Sequence, residues 1–336
     1  MKIAISAVNV NTGGALVLLN ELLSELTKKH IIVDLYIHEK LDLNKIYLSN
    51  NVMVKKRRNL FFSLLIFQKY ERVLFFGNLP PLNKVKNSIL YIHNAYLVKK
   101  RTCYKHLNFK QQVKISLLKL YIRFFIHNVS HVACQTESMK KEIISYYNKE
   151  SLILPFYKEL EFKKVEKLYD FCFIGLPSIH KKHDFLFDCL SRLSTLKIPC
   201  KVIVTVPNEE RYENILNEIN VINKRRIVSI ENLGLLPFEK IVDVYRASSA
   251  LIFPSILESF GLPLIEAAML KLPIFAPNLN YVNDVIGDCN YIDIANVEDT
   301  VMKMKDYLFD SSAYKPAYIK ANNVFVDMFI NGIKYD

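Results

Sequence analysis

Ala250-Leu-Ile-Phe-Pro-Ser-Ile-Leu-Glu-Ser-Phe-Gly-Leu-Pro-Leu-Ile-Glu-Ala-Ala-Met-Leu270 passes from an apolar run, through a loop punctuated by Pro254 and Gly261, into a second apolar stretch that Pro263 can open as a helix. A strand without polar alternation is buried on both faces, which points to a parallel sheet covered by helices. Working outward, Phe171 to Ile174, Lys201 to Val206, Arg226 to Ser229 and Pro273 to Ala276 read as further strands separated by helical patterns. An earlier series has the same rhythm. It begins with Lys2 to Val8, turns at Asn9-Val-Asn-Thr-Gly-Gly, enters a helix with Leu16, Leu19, Leu22, Leu23 and Leu26 on one face, and continues through Ile31 to Ile37, Arg72 to Phe76, Ser88 to Ile92 and His131 to Gln135.

Two consecutive series imply two doubly wound α/β domains facing each other across a cleft, with ligands expected at the carboxyl ends of the strands. The charged stretch Lys158 to Lys167 lacks a core pattern and reads as the linker. The expected division is residues 1–160, residues 168–312, and a helical tail over 313–336 that packs back on the first domain.

Composition limits the class of protein. A chain of 336 residues that is 51% hydrophobic can bury two cores and does not read as disordered. The N-terminus MKIAISAVNV lacks the zones of a signal peptide, and apolar runs such as Leu60 to Phe67 are about half the length that spans a bilayer, so a cytoplasmic protein is expected. Six cysteines, at 103, 134, 172, 189, 200 and 289, form no CxxC pair and read as reduced core thiols. The net charge of +12 is uneven: residues 1–167 carry 28 Lys and Arg against 12 Asp and Glu, whereas the remainder is slightly acidic. The first half is therefore expected to face something anionic.

In the quoted stretch Glu258 falls in the loop and Glu266 in the early turns of the helix. Unpaired amides and the positive end of the dipole make this helix start a place for a diphosphate, and a carboxylate beside it can accept hydrogen bonds from a vicinal diol. On these grounds alone, a glutamate that merely favours the dipole is the stronger reading of Glu266.

The flanks distinguish more. Leu233-Gly234, Tyr245-Arg-Ala, Phe253-Pro-Ser, the Glu258-x7-Glu266 pair, Lys271-Leu-Pro-Ile-Phe-Ala-Pro and Val285-Ile-Gly-Asp follow one another from Asn232 to Asp293. This order resembles the nucleotide-binding half of the family 4 retaining glycosyltransferases, which adopt the GT-B fold and include enzymes of bacterial O-antigen and capsular polysaccharide synthesis. The resemblance implies a nucleotide-diphosphate sugar (UDP-, GDP- or dTDP-linked) as donor, transfer of a hexosyl group with retained configuration to a lipid-linked glycan, and no metal or other cofactor. It implies that Glu266 holds the donor ribose and that Glu258 lies against the sugar and phosphates, with Phe260, Gly261 and Leu262 close to the diphosphate. Phe173-Ile-Gly-Leu-Pro-Ser-Ile-His-Lys-Lys-His-Asp resembles the family's phosphate loop, making Lys181 its cation; Lys182 replaces the asparagine of the His-Lys-Asn-His form, and Leu176 an arginine that many relatives carry. A solvated Lys-Lys turn is the lesser alternative.

Gly13 and Gly14 resemble the family's N-terminal glycine loop near the donor phosphates, and otherwise read as an ordinary strand-to-helix turn. His93, at the end of Ile89-Leu-Tyr-Ile-His, is placed by the resemblance near the reacting sugar, and otherwise reads as a histidine satisfied at a strand end. Arg101, Lys105, Asn108, Gln112, Ser116, Lys119 and Arg123 recur at helical spacing as one polar, basic stripe, either a solvated edge or a contact with an anionic inner-membrane surface. Three rivals remain. An epimerase of the same fold needs extra acid and base carboxylates that are not evident, and a nucleic-acid binder needs basic residues interleaved with exposed aromatics or a groove-reading helix. A non-catalytic scaffold is expected to lack one of the paired glutamates.

Overall fold

The computed structural model describes residues 1–10, 13–57, 62–100 and 107–332. The chain forms two compact units, Met1–Lys158 with the segment that begins at Asn322, and Glu159–Ala321.

The first unit runs β1 (Lys2–Ser6), α1 (Gly14–Lys28), β2 (Ile32–His38), β3 (Val52–Arg57), β4 (Arg72–Phe75), β5 (Val85–Tyr91), α2 (Phe109–Phe125), β6 (Val129–Cys134), α3 (Glu137–Tyr147) and β7 (Leu152–Ile153). Its seven strands are parallel, in the order β3-β2-β1-β4-β5-β6-β7. Ile3, Ala4, Ile5, Val73, Leu74 and Phe75 are buried at its centre, and α1 seals one face with Leu18, Leu19, Leu22, Leu23 and Leu26.

The second unit runs β8 (Tyr169–Phe173), α4 (His183–Thr195), β9 (Cys200–Val204), α5 (Glu213–Lys224), β10 (Val228–Asn232), α6 (Phe238–Ala247), β11 (Ser248–Ile252), α7 (Leu262–Met269), β12 (Ile274–Pro277), α8 (Asn280–Val285), β13 (Ile286–Gly287), β14 (Asn290–Ile292), α9 (Val297–Phe309) and β15 (Tyr318–Ile319). Its main sheet has the order β10-β9-β8-β11-β12-β14, which repeats the winding of the first unit. In each unit the strand order reverses once, between β1 and β4 and between β8 and β11. Loops that leave the carboxyl ends of those neighbours open a crevice suited to ligands.

Two expectations need correction. Residues 313–336 do not form one tail: β15 pairs antiparallel with β13 inside the second unit, and only from Asn322 does the chain return to the first. There α10 (Phe325–Asn331) sets the Phe325 ring 4.8 Å from Tyr91 and 5.8 Å from Phe156.

The basic stripe is also different. Arg101 and Lys105 lie outside the described residues, and α2 starts at Phe109 behind an Asn108–Gln111 capping box. Lys119 is buried, donating to the Lys99 carbonyl at 2.6 Å with its ammonium 3.9 Å from the centre of the Tyr146 ring. Within the described part of the stripe Lys119 is withdrawn to a carbonyl and an aromatic face, whereas Asn108, Ser116 and Arg123 stay exposed, and apolar positions share the wet side of α2 with them.

Four of the five described cysteines are buried, and all five are free thiols. Among the described residues, no helix is long and apolar enough to cross a membrane.

Candidate active site

In the second unit both crevice loops carry named residues. After β8 the chain passes Gly175, makes a short turn over Ile179–Lys181, and places Lys182 in the left-handed region (φ 57°) before α4. After β11 it delivers Phe253, Ser255 and Glu258. The Ile256 N–H donates to the His180 carbonyl at 2.8 Å, tying one loop to the other.

The Lys181 ammonium lies 2.5 Å from Glu258 Oε1 and 4.7 Å from the centre of the Phe253 ring. Ser255 Oγ donates to the same carboxylate oxygen at 2.7 Å. Both members of the ion pair are largely withdrawn from water, their side chains 14% and 15% exposed. At such a site an unpartnered charge is costly, so each group holds the other ready for a ligand.

Gly261 caps α7 with φ 75°, and a Cβ there would meet Leu264 Cδ1 at 3.1 Å and Tyr281 Cε2 at 3.3 Å. Only glycine meets both demands at this turn. Phe260 is buried just before it, and Leu262 and Pro263 open the helix; Pro263 has no N–H, and the Leu264 N–H donates to the Gly261 carbonyl at 2.9 Å. Tyr281 anchors the loop from the other side by donating to the Ser255 carbonyl at 2.7 Å.

Glu266 is buried one turn further along α7, where its Oε2 accepts from the Tyr245 hydroxyl at 2.8 Å. Burial pushes its pKa up to about 7, against the opposing pull of that hydrogen bond and of the Lys181 charge. Two hydroxyl donors arriving at this carboxyl would stabilise its charged form.

In the first unit the corresponding loops follow β1 and β4. Asn11 and Thr12 lie outside the described residues; Gly13 caps α1 with φ 71° and Gly14 is its first residue. A Cβ on Gly77 would come within 3.1 Å of the Asn9 backbone nitrogen, so the two loops touch through a glycine.

His93, just past β5, donates its backbone N–H to Asn78 Oδ1 at 2.8 Å, and its Nε2 stands 2.7 Å from the Phe76 carbonyl. A carbonyl only accepts, so Nε2 carries the proton and donates. The Asn78 amide nitrogen, 3.2 Å from the same Nε2, faces an N–H and forms no hydrogen bond there. Nδ1 is then the acceptor. Burial lowers the His93 pKa, keeping the ring neutral near pH 7, and the ring stacks 4.9 Å from Phe76.

Residues 158–323 match the family model of glycosyl transferases group 1. The second unit is similar to the group 1 glycosyl transferases over its whole length. A 72-residue stretch of the chain is 32% identical to the O-antigen chain mannosyltransferase B of Escherichia coli, covering 21% of this chain and 19% of that protein, so this likeness spans less than a fifth of the curated relative.

Solved structures show the fold over almost the whole chain. Sucrose-phosphate synthase from Thermosynechococcus elongatus superposes with a TM-score of 0.71 at 14% identity, covering 94% of this chain and 92% of that one. HepE of Anabaena, in complex with UDP and glucose, gives 0.67 at 12% identity over 94% and 91%. WaaG, a glycosyltransferase involved in lipopolysaccharide biosynthesis, gives 0.66 at 12% identity over 98% and 94%. The two doubly wound sheets are those of the GT-B fold.

Within the second unit the structure gathers Lys181, Glu258, Phe260, Gly261, Leu262 and Glu266 at one end of the sheet. Sequence reasoning gave Lys181 and Glu258 separate duties and did not foresee their pairing. It also passed over Tyr245, Ser255 and Tyr281, which hold the two glutamates and their loop. Tyr245 stood in the quoted Tyr-Arg-Ala pattern, but its spacing from Glu266 has no periodic meaning. Asn78, which fixes His93, carried no signal. Among the described residues, no three His, Cys, Asp or Glu side chains converge as a metal-binding group.

Proposed function

We propose that the chain is a retaining glycosyltransferase that moves a hexosyl group from a nucleotide-diphosphate sugar to the hydroxyl of a lipid-linked glycan, in the synthesis of bacterial O-antigen or capsule. The observation that carries this reading is the Lys181–Glu258 pair at the carboxyl end of β8 and β11, beside the glycine-capped start of α7. Lys181 and the positive end of the α7 dipole neutralise the donor diphosphate, a role that requires no metal. As the phosphates take a share of the ammonium, Glu258 is released to accept hydrogen bonds from the sugar while Ser255 keeps it oriented. Glu266 takes the ribose diol.

His93 serves the sugar and not the phosphates, because a neutral ring with an acceptor at Nδ1 offers nothing to an anion and can receive a hydroxyl proton. The departing diphosphate oxygen takes the acceptor proton on the same face of the sugar, so no residue of the chain needs to act as general base. UDP and glucose in the HepE structure and the mannosyltransferase likeness both favour a nucleotide-linked hexose.

A panel of UDP-, GDP- and dTDP-sugars tests the reading by thermal stabilisation and donor hydrolysis. One member should raise the melting temperature, and Lys181→Ala should weaken its binding by about 10- to 100-fold, as expected for loss of a charge-assisted contact. Undiminished donor binding in both Lys181→Ala and Glu266→Ala sinks the assignment.

A further inference from the structure

The outer face of α2 has no part in the chemistry above. Phe109, Val113, Leu117, Leu120 and Phe124 are all exposed; Phe109, Leu117 and Phe124 show 78%, 62% and 68% of their surface to solvent. At about 100° per residue these five fall within an arc of about 80° on one side of the helix, and Ile122 and Ile126 occupy the opposite, buried side.

Cations border the apolar arc on both edges. Lys110 and Lys114 stand beyond Leu117, and Arg123 stands beyond Phe109, all three exposed. The surrounding sequence is of one sign: from Arg72 to Thr136 there are 11 Lys and Arg and no Asp or Glu. A protein-facing apolar row is ordinarily edged by mixed charge, whereas a row edged by cations on both sides matches the boundary between acyl chains and anionic headgroups.

We propose that α2 docks the N-terminal unit on an anionic phospholipid bilayer, lying parallel to the surface with Phe109, Val113, Leu117, Leu120 and Phe124 inserted below the headgroups and Lys110, Lys114 and Arg123 among them. The buried Lys119 is not one of the lipid-facing cations; its ammonium is committed to Lys99 and Tyr146. This docking does not depend on the glycosyl transfer reading, since it uses no residue of the donor site.

Flotation of the full chain with phosphatidylcholine vesicles, with and without about one-third phosphatidylglycerol, tests it at low and high salt. The protein should float with the anionic vesicles only, and salt should reduce the bound fraction. Leu117→Ser with Phe124→Ser should lower partitioning by about tenfold or more, since two large side chains leave the acyl boundary. Lys110→Gln with Lys114→Gln should lower it several-fold and remove most of the salt dependence.

Because these side chains are exposed, the variants should melt with the wild type, and an unchanged melting temperature shows that lost binding is not lost folding. Absence of flotation at low salt overturns the proposal, as does equal flotation of the Leu117/Phe124 variant. Wild-type self-association in light scattering that the apolar variant abolishes, without lipid binding, would assign the face to a second copy of the chain.

Discussion

Glu266 and Glu258 are eight positions apart and live in different electrostatic worlds. Glu258 touches an ammonium and a hydroxyl; Glu266 touches a phenol, and Lys181 reaches it only through space. With its pKa raised to about 7 from an unfolded value near 4.5, Glu266 keeps its proton in the folded chain over a range where the unfolded chain has released it. The folded state therefore binds more protons between those values, and this group's contribution to stability is present below about pH 4.5 and is lost as the pH rises through 7. Glu266→Gln should remove that loss, stabilising the donor-free protein at pH 8 by about 2–3 kcal/mol while leaving pH 4.5 nearly unchanged. Melting curves at the two pH values check this. The same variant should bind donor less well, because a neutral amide accepts more weakly from a diol than a carboxylate does. Sequence alone disclosed that two carboxylates flanked a helix start, but burial decides the protonation of Glu266, and the Tyr245 hydroxyl that bonds it comes from another element.

At the scale of elements, the main parallel strands were legible because their apolar runs are continuous. β3 was not, since Val52–Arg57 lies at an edge of the sheet and ends in Lys55, Lys56 and Arg57. Its Lys55 reaches 2.7 Å to the buried Asp34 of β2, which also accepts a short hydrogen bond from Tyr70. Burial alone would raise the Asp34 pKa, yet the bonds from Lys55 and Tyr70 hold it below the usual carboxylate range. Such tertiary pairing leaves no periodic trace.

The α7 turn was legible in a different way, through Gly261 and Pro263. Gly261→Ala should cost about 1–2 kcal/mol from the left-handed backbone and the contacts with Leu264 and Tyr281, and should lower donor affinity by shifting the helix start. Melting and donor titration read the two effects separately; a variant with wild-type affinity would show that the turn is structural only. Lys182, the residue that replaces the family's asparagine, also has a positive φ, where asparagine is more readily accommodated, so the resemblance was informative about backbone conformation.

For the whole molecule, the repetition of one winding was readable from two series of strands, whereas the point of return at Asn322 was not, because β15 is only two residues long and has no apolar run. Phe325→Ala should destabilise the N-terminal unit by about 3–5 kcal/mol, since a fully buried ring leaves Tyr91, Phe156 and Phe329 facing a void. The Glu159–Ala321 unit should keep its own melting transition, and a loss confined to the other transition in calorimetry is the check.

The order in which a ribosome delivers these parts gives the late return a further meaning. Glu159–Ala321 is one uninterrupted segment and can close as soon as it emerges. The N-terminal unit, although made first, has to wait with the Tyr91 side of its core open until Phe325 appears. A nascent chain arrested between Ala321 and Phe325 would carry a finished second unit beside a first one whose core still lacks its last ring.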